Sequence, residues 1–233
     1  MNFSRRNFIV AATAFAASST TAASAISSSA FGVGGVLPDL PRAPLPGAIA
    51  GGSAVLPAMP AVRAGVAPAL FDAAMAALDK HGGRVMRDRI GIVDFSASSS
   101  DPRLHLVDLV GGTTSTLHVA HGSGSDPNHT GWLQRFSNSP GSNATSEGAY
   151  LTSDYYFGRH GRSQRLIGLD ATNNNALDRA IVIHGAWYAE PSMIAVHGKL
   201  GRSQGCLAVG DSLLNRAFDH LGSGRLIYAA KVA

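Results

Sequence analysis

A single cysteine and a histidine 22 residues before it are the residues of this sequence best suited to covalent chemistry. Cys206 is the only cysteine among 233 residues, and it ends the glycine-rich stretch GRSQGC at positions 201–206. His184 ends the apolar run IVIH. A thiol attacks as its thiolate, and a nearby imidazole can take up the thiol proton. The pair predicts a cysteine nucleophile activated by a histidine base.

Two glycines next to this pair support the same interpretation. Gly185 allows close backbone approach, and its carbonyl is free to fix the tautomer of the His184 imidazole. Gly205 leaves room for an acyl group beside the thiol, and we expect the N–H groups of Gly205 and Cys206 to face a developing oxyanion. His197 lies nine residues before Cys206 and is the alternative base, although it precedes a Gly-Lys-Leu-Gly loop rather than ending a strand.

The N-terminus has the pattern of an export signal. Arg5 and Arg6 precede an apolar run over 8–17, and Ala-Ser-Ala at 23–25 is a small-residue cleavage pattern. The paired arginines are typical of the twin-arginine export route. Because the apolar run is far shorter than the about 20 residues that span a bilayer, a membrane anchor is disfavoured. We therefore predict a twin-arginine-type signal peptide over 1–25 and a periplasmic or cell-envelope location.

Export also bears on the lone cysteine. Cys206 has no partner for an internal disulfide in this chain. A free cysteine is often a buried and unreactive small hydrophobic residue. The polar, glycine-rich surroundings of Cys206 instead predict a thiol that is not buried.

Composition divides the rest of the chain into a spacer and one domain. Residues 26–66 are rich in Pro, Gly and Ala and predict a linker, within which a second small-residue pattern at 28–30 offers an alternative cleavage site. Residues 67–233 suit one catalytic domain. The chain has 19 Lys and Arg and 15 Asp and Glu, and removal of Arg5 and Arg6 leaves 17 against 15. So small a surplus does not indicate nucleic-acid binding.

The domain alternates short strand patterns with glycine-rich turns. An apolar stripe predicts a helix over 68–81, and a second helix is expected over 212–221 with Asp211 as its N-cap. Strands are predicted over 89–95, 103–109, 113–120, 148–152, 165–169, 180–184 and 225–232. Many short strands and few helices predict a mainly β fold, a sandwich with peripheral helices.

Two further histidines have the spacing of half a metal site. His118 and His121 are three residues apart, and on a strand such side chains point to opposite faces. No third ligand with suitable spacing follows, so we predict neither a metal nor another cofactor. His121 lies in a Gly/Ser loop and is a candidate residue of the substrate cleft, with a simple turn histidine as the alternative.

The stretches around His184 and Cys206 resemble the active-site block of the murein L,D-transpeptidase catalytic domain family. That family has His-Gly at a strand end and Ser/Thr-His-Gly-Cys further along. TSEGAY at 145–150 is similar to a third, weaker motif, and the resemblance covers roughly residues 85–232. Gln204 replaces the second histidine, and LA at 207–208 replaces the usual Arg or Asn after the cysteine. The similarity is therefore to a divergent branch with Ser-x-Gly-Cys.

The resemblance implies an L,D-transpeptidase-like β-sandwich that cross-links peptidoglycan without a metal. Cys206 would attack the carbonyl of the third residue of a tetrapeptide stem, and His184, oriented by the Gly185 carbonyl, would take the thiol proton. The thioester would then react with the amine of a second stem to give a 3→3 cross-link.

The same resemblance leaves several roles open. Arg202 and Ser203 either bind the donor carboxylate or hold the loop, and Tyr188 either borders the site or belongs to the core. Water as the acceptor would make the site an L,D-carboxypeptidase. Because Gln204 replaces a family histidine, a catalytically silent peptidoglycan-binding module is a third interpretation.

Overall fold

One sheet of eight strands dominates residues 65–232, the part of the chain that this computed structural model describes. Its strands are β1 (Met86–Asp94), β2 (Leu104–Asp108), β3 (Thr113–Leu117), β4 (Gly148–Gly158), β5 (Gly161–Gly168), β6 (Val182–Gly185), β7 (Leu207–Val209) and β8 (Arg225–Ala230). The helices are α1 (Pro68–Lys80), α2 (Ser192–His197) and α3 (Leu214–Leu221), with 3-10 turns at Trp187–Ala189 and Asp211–Leu213. The predicted signal peptide and nearly all of the predicted linker lie outside the described residues. Among residues 65–232, no helix is long and apolar enough to cross a membrane.

Helix α1 packs on the outside of the sheet through one apolar face. Leu70, Ala74, Ala77 and Leu78 are buried and recur at the spacing of one helical face. They join apolar residues of β1, β2 and β8 in one cluster. Pro68 occupies the first turn, where its missing N–H costs no helical hydrogen bond. The predicted first helix is confirmed.

The sheet curves until its two edges almost meet. The strand order is β3-β2-β1-β8-β4-β5-β6-β7, and the pairs β1–β8 and β6–β7 are parallel. Just beyond β3, the Ala120 N–H donates to the Ala208 carbonyl in β7 at 2.8 Å. All eight strands contribute side chains to one buried cluster, which α3 also joins. The mainly β fold with peripheral helices is confirmed, and its packed layers come from one sheet that curves back on itself.

The β4–β5 hairpin is much longer than predicted. The sequence predicts strands over 148–152 and 165–169, whereas β4 ends at Gly158 and β5 already begins at Gly161. The extension packs on α3, since the Tyr155 ring lies edge-on to Phe218 with centroids 4.9 Å apart. This contact joins distant parts of the chain and leaves no local signal.

Helix α3 begins differently from the prediction. Asp211 starts a 3-10 turn, and the residue that precedes that turn or α3 makes no side-chain capping hydrogen bond in either case. The expectation that Asp211 caps a helix over 212–221 is therefore wrong. A Cβ at Gly185 would clash with the Asp211 carboxylate, so this turn packs tightly on the end of β6.

Candidate active site

The parallel pairing of β6 and β7 brings Cys206 and His184 together. Cys206 directly precedes β7, and the strand register places it level with Val182. Residues 182 and 184 project from the same face of β6, since side chains alternate along a strand. Val182, His184 and Cys206 accordingly line one cavity. The chain between the two strands, which includes α2, provides the crossover that a parallel pair requires.

A backbone hydrogen bond sets the tautomer of His184. Its Nδ1 lies 2.7 Å from the carbonyl oxygen of Gly185. A carbonyl oxygen only accepts, so Nδ1 carries the proton and Nε2 keeps its lone pair. His184 is 1% exposed, and burial is the main cause that lowers the pKa of its imidazole. The side chain is therefore neutral near pH 7, with Nε2 as its basic atom.

The thiol of Cys206 is buried, so the expectation of an exposed thiol is wrong. Cys206 is 9% exposed, and its Sγ donates to the Ala180 carbonyl oxygen at 3.6 Å. Burial raises the pKa of the thiol, and the Val182 N–H and the Arg179 guanidinium oppose that effect. The resting site thus contains a neutral thiol and a neutral imidazole in one cavity, and attack requires a proton transfer between them.

The turn that carries Cys206 is built around Gly205 and Ser203. The Gly205 N–H donates to the Ser203 Oγ at 3.1 Å, and that hydroxyl donates to the Cys206 carbonyl at 2.7 Å. Ser203 is 5% exposed. Of its two predicted roles, the structure therefore shows Ser203 holding the loop.

Gly205 serves the turn in a way that the sequence did not predict. Its amide is taken by Ser203, so of the two expected oxyanion donors only the Cys206 N–H remains a candidate. Gly205 has φ +113°, and a Cβ there would lie 2.8 Å from the Ala144 carbonyl oxygen. The glycine is needed to fit the protein's own backbone rather than to make room for an acyl group.

Arg202 and Tyr188 line the cavity, whereas His197 does not. The Arg202 Nη1 donates to the carbonyls of residues 126 and 127, so this arginine holds a neighbouring loop while facing the cavity. Burial raises the pKa of Tyr188 to about 12, which keeps its hydroxyl protonated. His197 is exposed at the end of α2. The geometry favours His184 over His197 as the base.

His121 lies outside the cavity, and its prediction as a cleft residue is wrong. It is 1% exposed, and its Nδ1 accepts a hydrogen bond from Arg103 Nη2 at 2.7 Å. Burial first, and then the charge of Arg103, lower the pKa of His121 to about 4. Its backbone carbonyl accepts the Ser203 N–H at 2.9 Å. His121 is thus a neutral, buried support of the nucleophile turn.

The two histidines of the half-site have other partners. The His118 Nε2 lies 3.2 Å from the Ser100 carbonyl oxygen, and His121 faces Arg103. Residues 65–232 contain no group of three or more His, Cys, Asp and Glu placed to hold a metal ion.

The cavity has a volume of about 720 Å³ and a cationic wall. Its arginines and acidic residue are Arg159, Arg179, Arg202 and Asp178. Arg179 donates four hydrogen bonds to the loop 137–146, at Ser137, Ser142, Ala144 and Ser146. Arg159 makes no hydrogen bond or ion pair with the rest of residues 65–232. Among the arginines of this wall it is the one without a hydrogen-bond or ion-pair partner in the described part of the chain.

The sequence does not single out three residues of this cavity. Arg159 and His160 form the tip of the β4–β5 hairpin, whose length depends on packing against α3. The His160 ring stacks on His184 with centroids 4.2 Å apart. Arg179 stands three residues before β6, and that proximity to the His184 strand is the one signal that points to it.

Comparison with known protein families agrees with the motifs around His184 and Cys206. A family model described as the L,D-transpeptidase catalytic domain matches residues 63–230, well over half of the chain. An L,D-transpeptidase from Mycobacterium smegmatis is 12% identical, with 61% of this chain and 58% of that chain covered and a TM-score of 0.36. One from Xylanimonas cellulosilytica is 15% identical, with coverages of 67% and 68% and a TM-score of 0.36.

A third solved structure is L,D-transpeptidase 3 from Mycobacterium tuberculosis in complex with a faropenem-derived adduct. It is 9% identical, with coverages of 62% and 60% and a TM-score of 0.40. The chain therefore spans roughly three fifths of the length of these mycobacterial proteins. No curated protein matches it in sequence.

Proposed function

Because the chain belongs to the L,D-transpeptidase catalytic domain family, we propose that it is a cysteine acyltransferase acting on peptidoglycan stem peptides. The observation that carries the proposal is the shared cavity of Cys206 and His184, in which the Gly185 carbonyl holds Nδ1 of the imidazole. This hydrogen bond leaves Nε2 as a base in the same cavity as a thiol, as thiol-mediated acyl transfer requires.

In the first step, the Cys206 Sγ attacks the carbonyl carbon of the third residue, a diamino acid, of a tetrapeptide stem. Nε2 of His184 takes the thiol proton as the S–C bond forms, because burial keeps the resting thiol neutral. The Cys206 N–H donates to the oxyanion, and one such donor contributes about 3 kcal/mol in comparable sites. The C–N bond to the terminal D-alanine then breaks, and His184 gives the proton to the leaving amine.

In the second step, the side-chain amine of the diamino acid on another stem attacks the thioester carbonyl. His184 accepts a proton from that amine and returns one to the departing thiolate. The products are a 3→3 cross-link and the free Cys206 thiol. If water attacks instead, the thioester is hydrolysed, and the enzyme acts as an L,D-carboxypeptidase.

The charge of the cavity supports a substrate that carries carboxylates. Three arginines and Asp178 leave a formal charge of +2 on the wall. A tetrapeptide stem ends in a free carboxylate, which a guanidinium binds with two parallel hydrogen bonds. Arg159 is the proposed partner, since the donors of Arg179 and the Nη1 of Arg202 already hold protein loops.

The proposed substrate places the protein in the cell envelope. The signal predicted over 1–25 provides the route of export, and the linker predicted over 26–66 would separate it from the catalytic domain. N-terminal sequencing of the mature protein from the periplasm tests signal cleavage and export. Cleavage after residue 25 is expected, and an intact N-terminus in the cytoplasm would contradict export.

Incubation with disaccharide-tetrapeptide, followed by mass spectrometry of the products, tests the reaction. A cross-linked dimer indicates the transpeptidase and a tripeptide indicates the carboxypeptidase. Cys206→Ala is the control and should give neither product. If the wild-type protein also gives neither product but still binds peptidoglycan, the binding-module interpretation replaces the enzyme.

A further inference from the structure

The ring of His160 lies on the imidazole of His184. The two ring centroids are 4.2 Å apart, and the ring planes differ by 22°. His160 is at the tip of the β4–β5 hairpin and is exposed, whereas His184 is 1% exposed. A solvent-exposed turn residue thus covers the buried candidate base.

The fold holds His160 in place from both strands of the hairpin. β5 leaves the tip and pairs with β6, so that Ser163 lies opposite His184. β4 enters the tip and packs on α3 through Tyr155. The Arg162 guanidinium lies 4.7 Å from the centroid of the Tyr155 ring and braces the two strands. The position of the stack is therefore set by the sheet and by α3.

The stack provides a restraint that the hydrogen bond of His184 lacks. The bond from Nδ1 to the Gly185 carbonyl fixes one edge of the imidazole but leaves the ring plane free to tilt. A ring stacked on one face restrains that plane and excludes water from the face. Both effects matter to a base, because proton transfer requires Nε2 at hydrogen-bonding distance from the proton that it takes.

We propose that His160 is a positioning residue for His184: its stacked ring fixes the plane of the imidazole and shields it from water while Nε2 takes the proton of Cys206. The proposal rests on the proposed function of His184 as the base. His160 acts through His184, and it lies outside the sequence motif that contains His184 and Cys206.

The stack also places two titratable rings side by side. Burial is the main cause of the lowered pKa of His184, a positive charge on His160 lowers it further, and the Gly185 carbonyl and Asp211 oppose both. The other ionisable groups that line the cavity are Cys206, Tyr156, Tyr188, Asp178 and the arginines 159, 179 and 202. A neutral residue at position 160 should therefore raise the pKa of His184. Because a base works only when unprotonated, the acid limb of the rate would move to higher pH.

His160→Ala and His160→Phe separate the stacked ring from its charge. For His160→Ala we expect a kcat for thioester formation about 10-fold below wild type with KM nearly unchanged, because the imidazole loses its restraint. His160→Phe retains a stacked ring and should recover most of the rate. Both variants should raise the pKa of His184, which NMR of its ring C–H groups measures without turnover.

Two matched controls accompany these variants. Phe157→Ala alters the same hairpin at a residue that is 84% exposed, and His197→Ala removes an exposed histidine outside the cavity. Both should match the wild type. An unchanged kcat and His184 titration in His160→Ala would overturn the inference, as would a His160→Phe variant as slow as His160→Ala. If the wild type forms no thioester, the proposed function fails, and the NMR titration still tests whether His160 lies against His184.

Discussion

Gly205 shows how the conformation of one residue positions the nucleophile. Its φ of +113° lies in the left-handed region that favours glycine. The missing Cβ also permits the contact with the Ala144 carbonyl, and the amide is used by the Ser203 hydroxyl. The thiol of the next residue is therefore directed into the cavity by a turn that another residue type would distort.

Gly205→Ala should both destabilise the protein and slow acylation of Cys206. Strain at positive φ costs about 1–2 kcal/mol, and the clash with Ala144 adds to it. Gly198→Ala is the control, since Gly198 has φ +70° with no atom within 4 Å of an added Cβ. Urea unfolding and the acylation rate measure the two effects. Equal stability and equal rates in the two variants would contradict this account of Gly205.

His121 predicts a pH dependence of stability. Its pKa is lowered to about 4 in the folded protein, against 6.5 for the free group, so the unfolded chain takes up the proton first as the pH falls. The contribution of His121 to the free energy of unfolding is complete above about pH 6.5 and is lost as the pH falls toward 4. Between pH 7 and pH 5 the loss is on the order of 2 kcal/mol.

Urea unfolding of the wild type and of His121→Gln at pH 7 and pH 5 measures this effect. The wild type should lose more stability than the variant over that interval, whatever their absolute values, because only the wild type has this titrating group. Parallel losses in both proteins would show that His121 is not held neutral by burial and by Arg103.

At the scale of elements, the β4–β5 hairpin joins the core to the wall of the cavity. Tyr155 anchors it on α3, where the Arg162 guanidinium also lies 5.0 Å from the Phe218 ring centroid. Its tip presents His160 to His184 and Arg159 to the cavity. Two residues that the motif does not contain thereby become part of the candidate site.

Arg159→Gln should raise KM for a tetrapeptide donor about 5-fold with kcat nearly unchanged, because an exposed ion pair contributes about 1 kcal/mol. Arg165→Gln is the matched control, since Arg165 lies on the same hairpin and pairs with Asp154 at 2.9 Å. A donor whose terminal carboxylate is amidated should show no difference between wild type and Arg159→Gln. A wild-type KM in Arg159→Gln would contradict the carboxylate-binding role.

At the scale of the whole molecule, closure of the sheet brings the segment after β3 to the nucleophile turn. Ala120 pairs with Ala208, and Gly122 with Ser203. This closure supports the turn from a part of the chain some 80 residues away in sequence. Closure brings the backbone of His121 to the nucleophile turn, whereas the side chain of His121 does not line the cavity.

The sequence motifs were sufficient to predict that Cys206, His184 and the Gly185 carbonyl lie together, although β7, whose pairing with β6 brings them together, was not among the predicted strands. The sequence was insufficient for His121, because nothing local reveals that the side chain of Arg103 is buried against it. It also missed His160, whose contact depends on a hairpin extended by packing on α3. The buried state of the Cys206 thiol likewise depends on the surrounding cavity wall rather than on its glycine neighbours.

Intact-mass spectrometry after incubation with a carbapenem, a strained acyl donor, tests most directly that Cys206 is a nucleophile activated by His184. The wild type should gain the mass of one carbapenem, Cys206→Ala none, and His184→Ala should react at least about 100-fold more slowly. His197→Ala should behave as the wild type. An adduct on Cys206→Ala would contradict the assignment. So would a result in which His197→Ala loses acylation while His184→Ala is acylated at the wild-type rate.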